Sequence, residues 1–594
     1  MKRHAAIFAA ILMFMANIAG FFSTVDASTT SKTANLPYEV ELFSDVPESH
    51  WAFEDIHYFR YLNITQGIGD NKFGLGQQVK RSEFITMLVR LMNWELVKTD
   101  KSTFSDVGKD KWYHDYIETA VTKGAIIKES GRFNPDAYIT REDIAKAIVR
   151  SLGYEELAKQ LQYLPSQFKD VKENAEYINI AKDFGISNGL DGVSFLPKST
   201  AKKEEAVAML VRMYERLNGP IKELHAFYAI KAYDQVDLIS GLNSVSFGWS
   251  RLEYDNSRKQ FAVSAAKSDT SDFYIPDASS VPVDIAKQGN ATVQLNLYAS
   301  NDVKVLDANS NTNMGMVESL LSSNEAQNSV IQQIVQMLNN TPAGEKNLTF
   351  DGIVVDFENM RGEKLSKLYD EFLLKLKTEL SQYNKKLYVA VHPKRAKGQA
   401  YYDGYDYKTI GEIADKVILM AHDYNATKLT EAEMSIGYND TPLTPIDEVY
   451  YALKTITDKK TGVADTSKIL LQISFDTVQW KMVDGKVINQ NAYRPSYSQI
   501  KERLEKNDPG SDLVIKYSTK LESPWLTYHN TGDNTDNIIW YEDSRSVDAK
   551  IKLAKLFGVQ GISLWRLGNI PAYDDANSSK LYLDVWQGIK NQMK

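Results

Sequence analysis

Cysteine is absent from this chain of 594 residues. That excludes a disulfide framework, a thiolate nucleophile and any cysteine-ligated metal, so stability must come from packed cores. An excess of positive charge is missing too: 69 Lys and Arg stand against 77 Asp and Glu, a net charge of −8. Such a balance gives no long-range attraction for nucleic acid or an anionic membrane, although local basic clusters can still bind an anionic polymer. An apolar fraction of 43% and a charged fraction of 25% exclude a disordered, collagen-like or multi-span membrane chain. What is present is a length too great for one hydrophobic core, so several domains are expected.

Lys2, Arg3 and His4 precede a mostly apolar run from Ala5 to Phe22, and Val25, Asp26 and Ala27 follow. This order predicts a secretory signal peptide over 1–27, cut after Ala27, and then a polar spacer over 28–42. The run approaches the length of a membrane anchor, which is the alternative reading. The small-residue site and the polar segment behind it favour cleavage.

The first third of the chain repeats itself. Phe43-Ser44-Asp45-Val46, Phe104-Ser105-Asp106-Val107 and Phe168-Lys169-Asp170-Val171 recur at a spacing of about sixty residues. In phase with them stand Trp51 and Trp112, then Phe73, Phe133 and Phe195, then Arg90, Arg150 and Arg212. Ahead of each Arg lies a charged segment, 79–83, 139–143 or 201–205, that opens an apolar run of helical period. Thr140 is the expected N-cap of the second, with acids in the first turn where the helix dipole favours them.

These repeats resemble the S-layer homology domain, over 43–98, 104–157 and 168–217. The resemblance implies a mainly α trimer of repeats, in a pseudo-threefold arrangement, whose grooves bind secondary cell-wall polysaccharide. It implies wall-polysaccharide contacts for Arg81, Arg141 and Lys203, with Trp51 and Trp112 beside them. Read as residues alone, the basic groups could simply solvate a helix start, and the two tryptophans are expected in the core. The third repeat departs from the pattern: Lys203 stands for Arg and cannot offer a bidentate fork, and Glu176-Tyr177 replaces the tryptophan.

After Asn218-Gly219-Pro220, a breaker cluster, the pattern changes to short apolar strands alternating with amphipathic helices. Strands are expected at 224–230, 244–249, 292–298, 350–357, 386–392, 416–422, 469–475 and 561–565, with helices such as 327–339, 364–382 and 546–557 between them. This reads as an α/β TIM (β/α)8 barrel over 221–594 carrying an α+β insertion at about 476–536, with Asp484-Gly485 as a hairpin turn. In that fold the site lies at the C-terminal ends of the strands.

Phe350-Asp351-Gly352-Ile353-Val354-Val355-Asp356-Phe357-Glu358 places two carboxylates there. Residues two apart on a strand share a face, so Val354, Asp356 and Glu358 point together. Desolvation and mutual repulsion raise at least one of the two acids, giving a proton donor near neutral pH. The bland reading is a solvated strand end or a helix cap. The stretch resembles the D-G-x-x-x-D-x-E signature of glycoside hydrolase family 18. Leu419-Met420-Ala421-His422-Asp423-Tyr424, the segment 537–546 and Gly561-Ile562-Ser563-Leu564-Trp565 follow in the family's order. The closest likeness is to its spore-cortex and peptidoglycan-lytic branch.

The resemblance implies Glu358 as general acid and Asp356 as the residue that orients the substrate's acetamido group, which itself acts as nucleophile; no cofactor and no metal are required. His422, Asp423, Tyr424 and Trp565 are implied to contact the sugar. Val354 stands where many members carry a second aspartate, and His422 where they carry tyrosine. The expected function is a cell-wall-anchored glycosidase acting on β-linked N-acetylglucosamine-containing glycans, peptidoglycan or chitin-like, by substrate-assisted retaining catalysis. The alternatives are a catalytically silent glycan-binding surface protein on the same fold and a purely structural surface protein. The expected place is the bacterial cell surface, with no nucleic-acid partner and no membrane span after signal cleavage.

Overall fold

The computed structural model describes residues 36–230, 232–306, 312–343, 346–395, 403–506 and 512–594. The expected signal peptide and residues 28–35 lie outside them. No helix among the described residues is long and apolar enough to cross a membrane. The chain divides between Gly219 and Pro220 into two units.

In the first unit the three charged segments open helices α1 (Arg81–Leu91), α2 (Arg141–Ser151) and α3 (Lys203–Asn218). Thr140 caps α2 by accepting the Asp143 amide at 3.2 Å, as its position predicts. The segments just before the helices close a ring. Val79 donates its amide to the Ala201 carbonyl, Ala201 to Ile139 and Ile139 back to Val79, at 3.0–3.1 Å. Each repeat therefore satisfies the backbone of the next, and a two-repeat fragment would leave buried amide and carbonyl groups unpaired.

The recurrent Phe-x-Asp-Val motif works inside this ring. Asp45 accepts the amides of Phe73, Gly74 and Leu75, Asp106 those of Phe133 and Asn134, and Asp170 those of Phe195 and Leu196. Burial pushes the Asp45 carboxyl up, but the amide donors hold it below the usual carboxylate range. The two phenylalanines so joined in each repeat pack at centroid distances of 5.7, 5.5 and 5.3 Å. Gly67 and Gly189 have positive φ, and a Cβ on either would strike the ring of Phe43 or Phe168.

Trp51 and Trp112 correct the expectation of core positions: they are 59% and 60% exposed. In the third repeat the position two residues before the helix Ala175–Asp183 is Glu173, while Tyr177, inside that helix, is buried with its hydroxyl donating to Glu155 at 2.8 Å.

The second unit is a closed barrel of eight parallel strands: β1 (Glu223–Tyr228), β2 (Ser244–Asp255), β3 (Thr292–Ser300), β4 (Gly352–Glu358), β5 (Lys386–Val391), β6 (Lys416–Leu419), β7 (Ile469–Ser474) and β8 (Gly561–Trp565). Sequential neighbours pair from β2 to β7, β8 pairs with β7, and β1 closes the circle against both β8 and β2. The interior is a packed floor of Phe227, Val354, Tyr388, Ala390, Ile418, Met420 and Leu470. Deeper still, His225 bridges the hydroxyls of Ser563 and Ser246 at 2.8 and 2.7 Å.

β5 and β6 end sooner than expected, at Val391 and Leu419, so His392 and His422 sit on the loops that leave the barrel mouth. The insertion after β7 is a five-stranded antiparallel sheet. Its first hairpin turns at Asp484-Gly485, both at positive φ, with Val483 opposite Lys486. The sheet reaches further along the chain than expected: Thr535–Trp540 is its central strand, pairing with 478–482 and 525–530.

Candidate active site

Pleating decides which side chains meet at the mouth. On β4 the even positions Val354, Asp356 and Glu358 face inward. On β3, Asn296, Tyr298 and Ser300 stand opposite them in register. The end of β4 is anchored from outside: Tyr405 donates its hydroxyl to the Phe357 carbonyl at 2.7 Å, Asn301 its amide to the Glu358 carbonyl at 3.0 Å, and Asn359 its side chain to Ser300 at 2.8 Å. Held backbone on both sides leaves the Glu358 carboxyl little choice of direction.

Asp356 is buried. Its Oδ2 accepts Asn296 Nδ2 at 3.4 Å, and its Oδ1 has no hydrogen-bond partner among the described residues. Burial raises its pKa to about 6, against smaller lowering by Asn296 and His422. Glu358, a quarter exposed at the side chain, is pushed up to about 8 by burial, then by Asp356, with His422 pulling the other way. Val354 beneath them belongs to the apolar floor, so no second aspartate shares a proton with Asp356. The substitution removes a charge that this dry position could not hydrate.

His422 lies across the mouth. Its Nδ1 is 2.7 Å from Asp423 Oδ2 and its Nε2 is 2.6 Å from Gln472 Oε1. Two acceptors call for two N–H donors, which is the imidazolium. Burial opposes that charge, but Asp423 and Gln472 outweigh it and bring the pKa to about 9. Asp423 can turn back to its neighbour because its backbone is left-handed, φ 58°. His392, 3.9 Å from Glu358, is driven by burial to a pKa of about 3 and stays neutral.

Of the residues expected at the site, Glu358, Asp356, His422, Asp423 and Trp565 lie at the strand ends and loops of the mouth. Trp565 ends β8 half-buried, edge-on to Phe227 at 5.3 Å. Tyr424 is a correction. The left-handed turn at Asp423 ends strand alternation and sends Tyr424 outward, where its hydroxyl donates to the Glu448 carbonyl at 3.4 Å and Arg395 lies over its ring. Asn296, Tyr298, His392 and Gln472 were missed. Asn296 and Tyr298 share a face of β3, and Gln472 lies two residues beyond the floor residue Leu470 on β7, so the period-2 rule applied outside β4 would have found these three; His392, one residue past the end of β5, carries no such signal. Tyr298 stands opposite Asp356 in register, and its pKa is raised first by burial and next by Glu358 and Asp356.

In the repeats, the groups expected to meet polysaccharide carboxylates are engaged within the fold. Arg81 donates to the Phe133 carbonyl at 2.9 Å and to Asp143 at 2.5 Å. Arg141 repeats this with the Phe195 carbonyl at 2.8 Å and Glu205 at 3.5 Å, and is buried. Lys203 completes the circle at 3.7 Å from Glu83. Arg81 also borders a groove of about 430 Å³ with Glu129, Lys146 and Arg150.

Among known families, the model described as glycosyl hydrolases family 18 matches residues 225–569. The S-layer homology domain model matches 42–85, 103–145 and 167–207. An S-layer protein of Bacillus thuringiensis subsp. finitimus is 28% identical over 37% of this chain and 25% of its own length. A cortical fragment-lytic enzyme of Bacillus subtilis (strain 168) is 25% identical over 39% of this chain and 50% of its own. The chain thus spans a quarter of the S-layer relative and half of the lytic one. The crystal structure of the Bacillus megaterium QM B1551 spore cortex-lytic enzyme SleL aligns with 70% of this chain and 82% of its own at 19% identity and a TM-score of 0.46.

Proposed function

The chain belongs to glycosyl hydrolases family 18 through its barrel, and on that footing we propose that it hydrolyses β-linked N-acetylglucosamine-containing glycans of the bacterial cell wall while its repeats hold it there. The observation that carries the reading is the pair Asp356 and Glu358: one strand face, one dry mouth, two carboxyls raised to different extents.

Glu358, still protonated near neutral pH, gives its proton to the glycosidic oxygen as the bond from that oxygen to the anomeric carbon breaks. The substrate's acetamido oxygen bonds to the anomeric carbon and forms an oxazolinium ion. Asp356 Oδ1, the acceptor with no partner in the protein, takes the acetamido N–H. Water then attacks the anomeric carbon from the face the leaving group left, gives its proton to Glu358, and breaks the bond from the anomeric carbon to the acetamido oxygen, restoring the acetamido group with net retention. Trp565 offers the sugar an apolar surface. His422 has both N–H groups committed and Tyr424 faces away, so neither supplies the hydroxyl expected from the family. Tyr298, opposite Asp356 in register on β3, is the phenol to which we assign that part.

Anchoring follows from three repeats that match S-layer homology domains, with wall polysaccharide as partner. The exposed Trp51 and Trp112 offer sugar-stacking faces, whereas the groove bases Arg81, Lys146 and Arg150 are paired with Asp143, Glu129 and Glu155. Sugar release from purified wall glycan by the full chain and by Glu358→Gln tests the enzyme. A fall of about a hundredfold or more is expected for removal of a general acid. Equal release by both proteins would take Glu358 out of the reaction.

A further inference from the structure

The inserted sheet brings one guanidinium to the rim of the mouth. Arg494 follows Tyr493, whose amide and carbonyl pair with those of Gln479 at 3.1 and 2.8 Å, so its backbone is fixed to the first strand of the insertion. Its Nη1 donates to Asp476 Oδ2 at 3.0 Å, and Asp476 Oδ1 accepts Asn569 Nδ2 at 3.2 Å. Asp476 lies two residues beyond Ser474, which pairs with Trp565 across β7 and β8. Asn569 lies four residues beyond Trp565. The clamp therefore joins the segments that leave the ends of β7 and β8, the strand that Trp565 closes.

The Asp476 contact uses one of the five N–H groups of Arg494, and the side chain is 52% exposed against 15% for Asp476. A guanidinium tethered by a single oxygen keeps a planar edge of donors for a second carboxylate. The charges around it do not cancel that role. Asp423 is spent on His422, and Arg566, next to Trp565, is turned to the Ala229 and Ile230 carbonyls at 3.2 and 2.5 Å. Arg494 acts electrostatically on both Asp423 and Arg566, so it shares their space.

We propose that Arg494 is a specificity-determining residue that binds a sugar-borne carboxylate, such as the lactyl ether of an N-acetylmuramoyl unit, in the subsite beside Trp565. This deepens the glycosidase reading and names its substrate class as an acidic glycan. The test uses binding, so that it stands whether or not turnover follows the proposed course. The full chain carrying Glu358→Gln is titrated with three probes: a peptide-free N-acetylglucosaminyl-N-acetylmuramoyl tetrasaccharide, its methyl ester, and the tetramer of N-acetylglucosamine.

The free acid is expected to bind about tenfold tighter than the ester, and adding Arg494→Gln to abolish that gap while changing affinity for the neutral tetramer by less than about twofold. Arg494→Lys is expected to keep part of the gap, since a point charge remains without the fork. Equal affinity for acid and ester, a gap that survives Arg494→Gln, or no binding of the acid overturns the assignment. A carboxylate on an attached peptide as the true ligand appears as a gap only when the peptide is present, and that too overturns it. Loss of hydrolysis comparisons between the parent and Glu358→Gln bears on the glycosidase reading alone.

Discussion

His422 Nδ1 stands 2.7 Å from Asp423 Oδ2, two consecutive residues folded onto each other by a left-handed turn. The pair keeps a positive charge beside two carboxyls that burial would otherwise neutralise. His422 lowers both Asp356 and Glu358 from where desolvation would put them, while Asp423 pushes Glu358 the other way.

Catalysis is expected to follow a bell in pH. Asp356 must be ionised to hold the acetamido N–H, and its pKa is about 6; Glu358 must be protonated, and its pKa is about 8. The two values belong to the pair as a unit. A plot of kcat/KM should therefore rise through about 6 and fall through about 8. A profile flat across that range contradicts the assignment.

Stability should respond to Asp423→Asn in a pH-dependent way. His422 titrates at about 9 when folded, above its ordinary 6.5. Its contribution is fully present below 6.5 and disappears as pH rises through about 9. Because Asp423 is half exposed, the loss is expected at about 1 kcal/mol near pH 6 and close to nothing near pH 10. Denaturant midpoints at the two pH values measure it.

Glu358→Gln should stabilise the protein while it abolishes activity. The unfolded glutamate ionises near 4.5, but the folded one keeps its proton to about 8, so folding becomes less favourable as pH rises between those values. Glutamine removes that penalty. The variant is expected to melt roughly 2–4 °C higher at pH 8 and unchanged at pH 4. A variant that melts lower at pH 8 would show that the carboxylate is needed for packing.

In the repeats, Arg141→Gln is expected to cost about 2–3 kcal/mol, because the buried guanidinium holds the Phe195 carbonyl and faces Glu205. Trp51→Ala with Trp112→Ala should change stability by less than about 0.5 kcal/mol, since both rings face solvent, yet reduce retention on purified walls. Equilibrium unfolding and a wall-pelleting assay separate the two outcomes.

Lys550 and Glu542 form a buried ion pair at 2.9 Å between the last inserted strand and the helix 544–556 that follows. Lys550→Met leaves a buried carboxylate whose remaining partners are the Ser546 and Thr444 hydroxyls. A loss of about 3–5 kcal/mol is expected, with partial recovery in the double variant Lys550→Met, Glu542→Gln. Thermal melts of the three proteins check the order.

Much of this protein is written locally. The three Phe-x-Asp-Val motifs, the Thr140 cap, the eight apolar strands and the shared face of Asp356 and Glu358 all follow from periods of 2 and 3.6 and from turn chemistry acting over a few residues. A threefold repeat ahead of a barrel, and a strand end bearing two carboxylates, can therefore be read from local pattern alone. Only tertiary structure decided what lies across a gap. Whether Arg81 and Arg141 meet a ligand or a neighbouring repeat depends on residues some sixty positions away. Whether Tyr424 enters the mouth depends on one left-handed residue, and whether His422 is charged depends on Gln472, fifty residues on. Local pattern fixes which way a side chain points from its own element; partners and protonation are set by whatever the closed barrel and the closed ring bring opposite it.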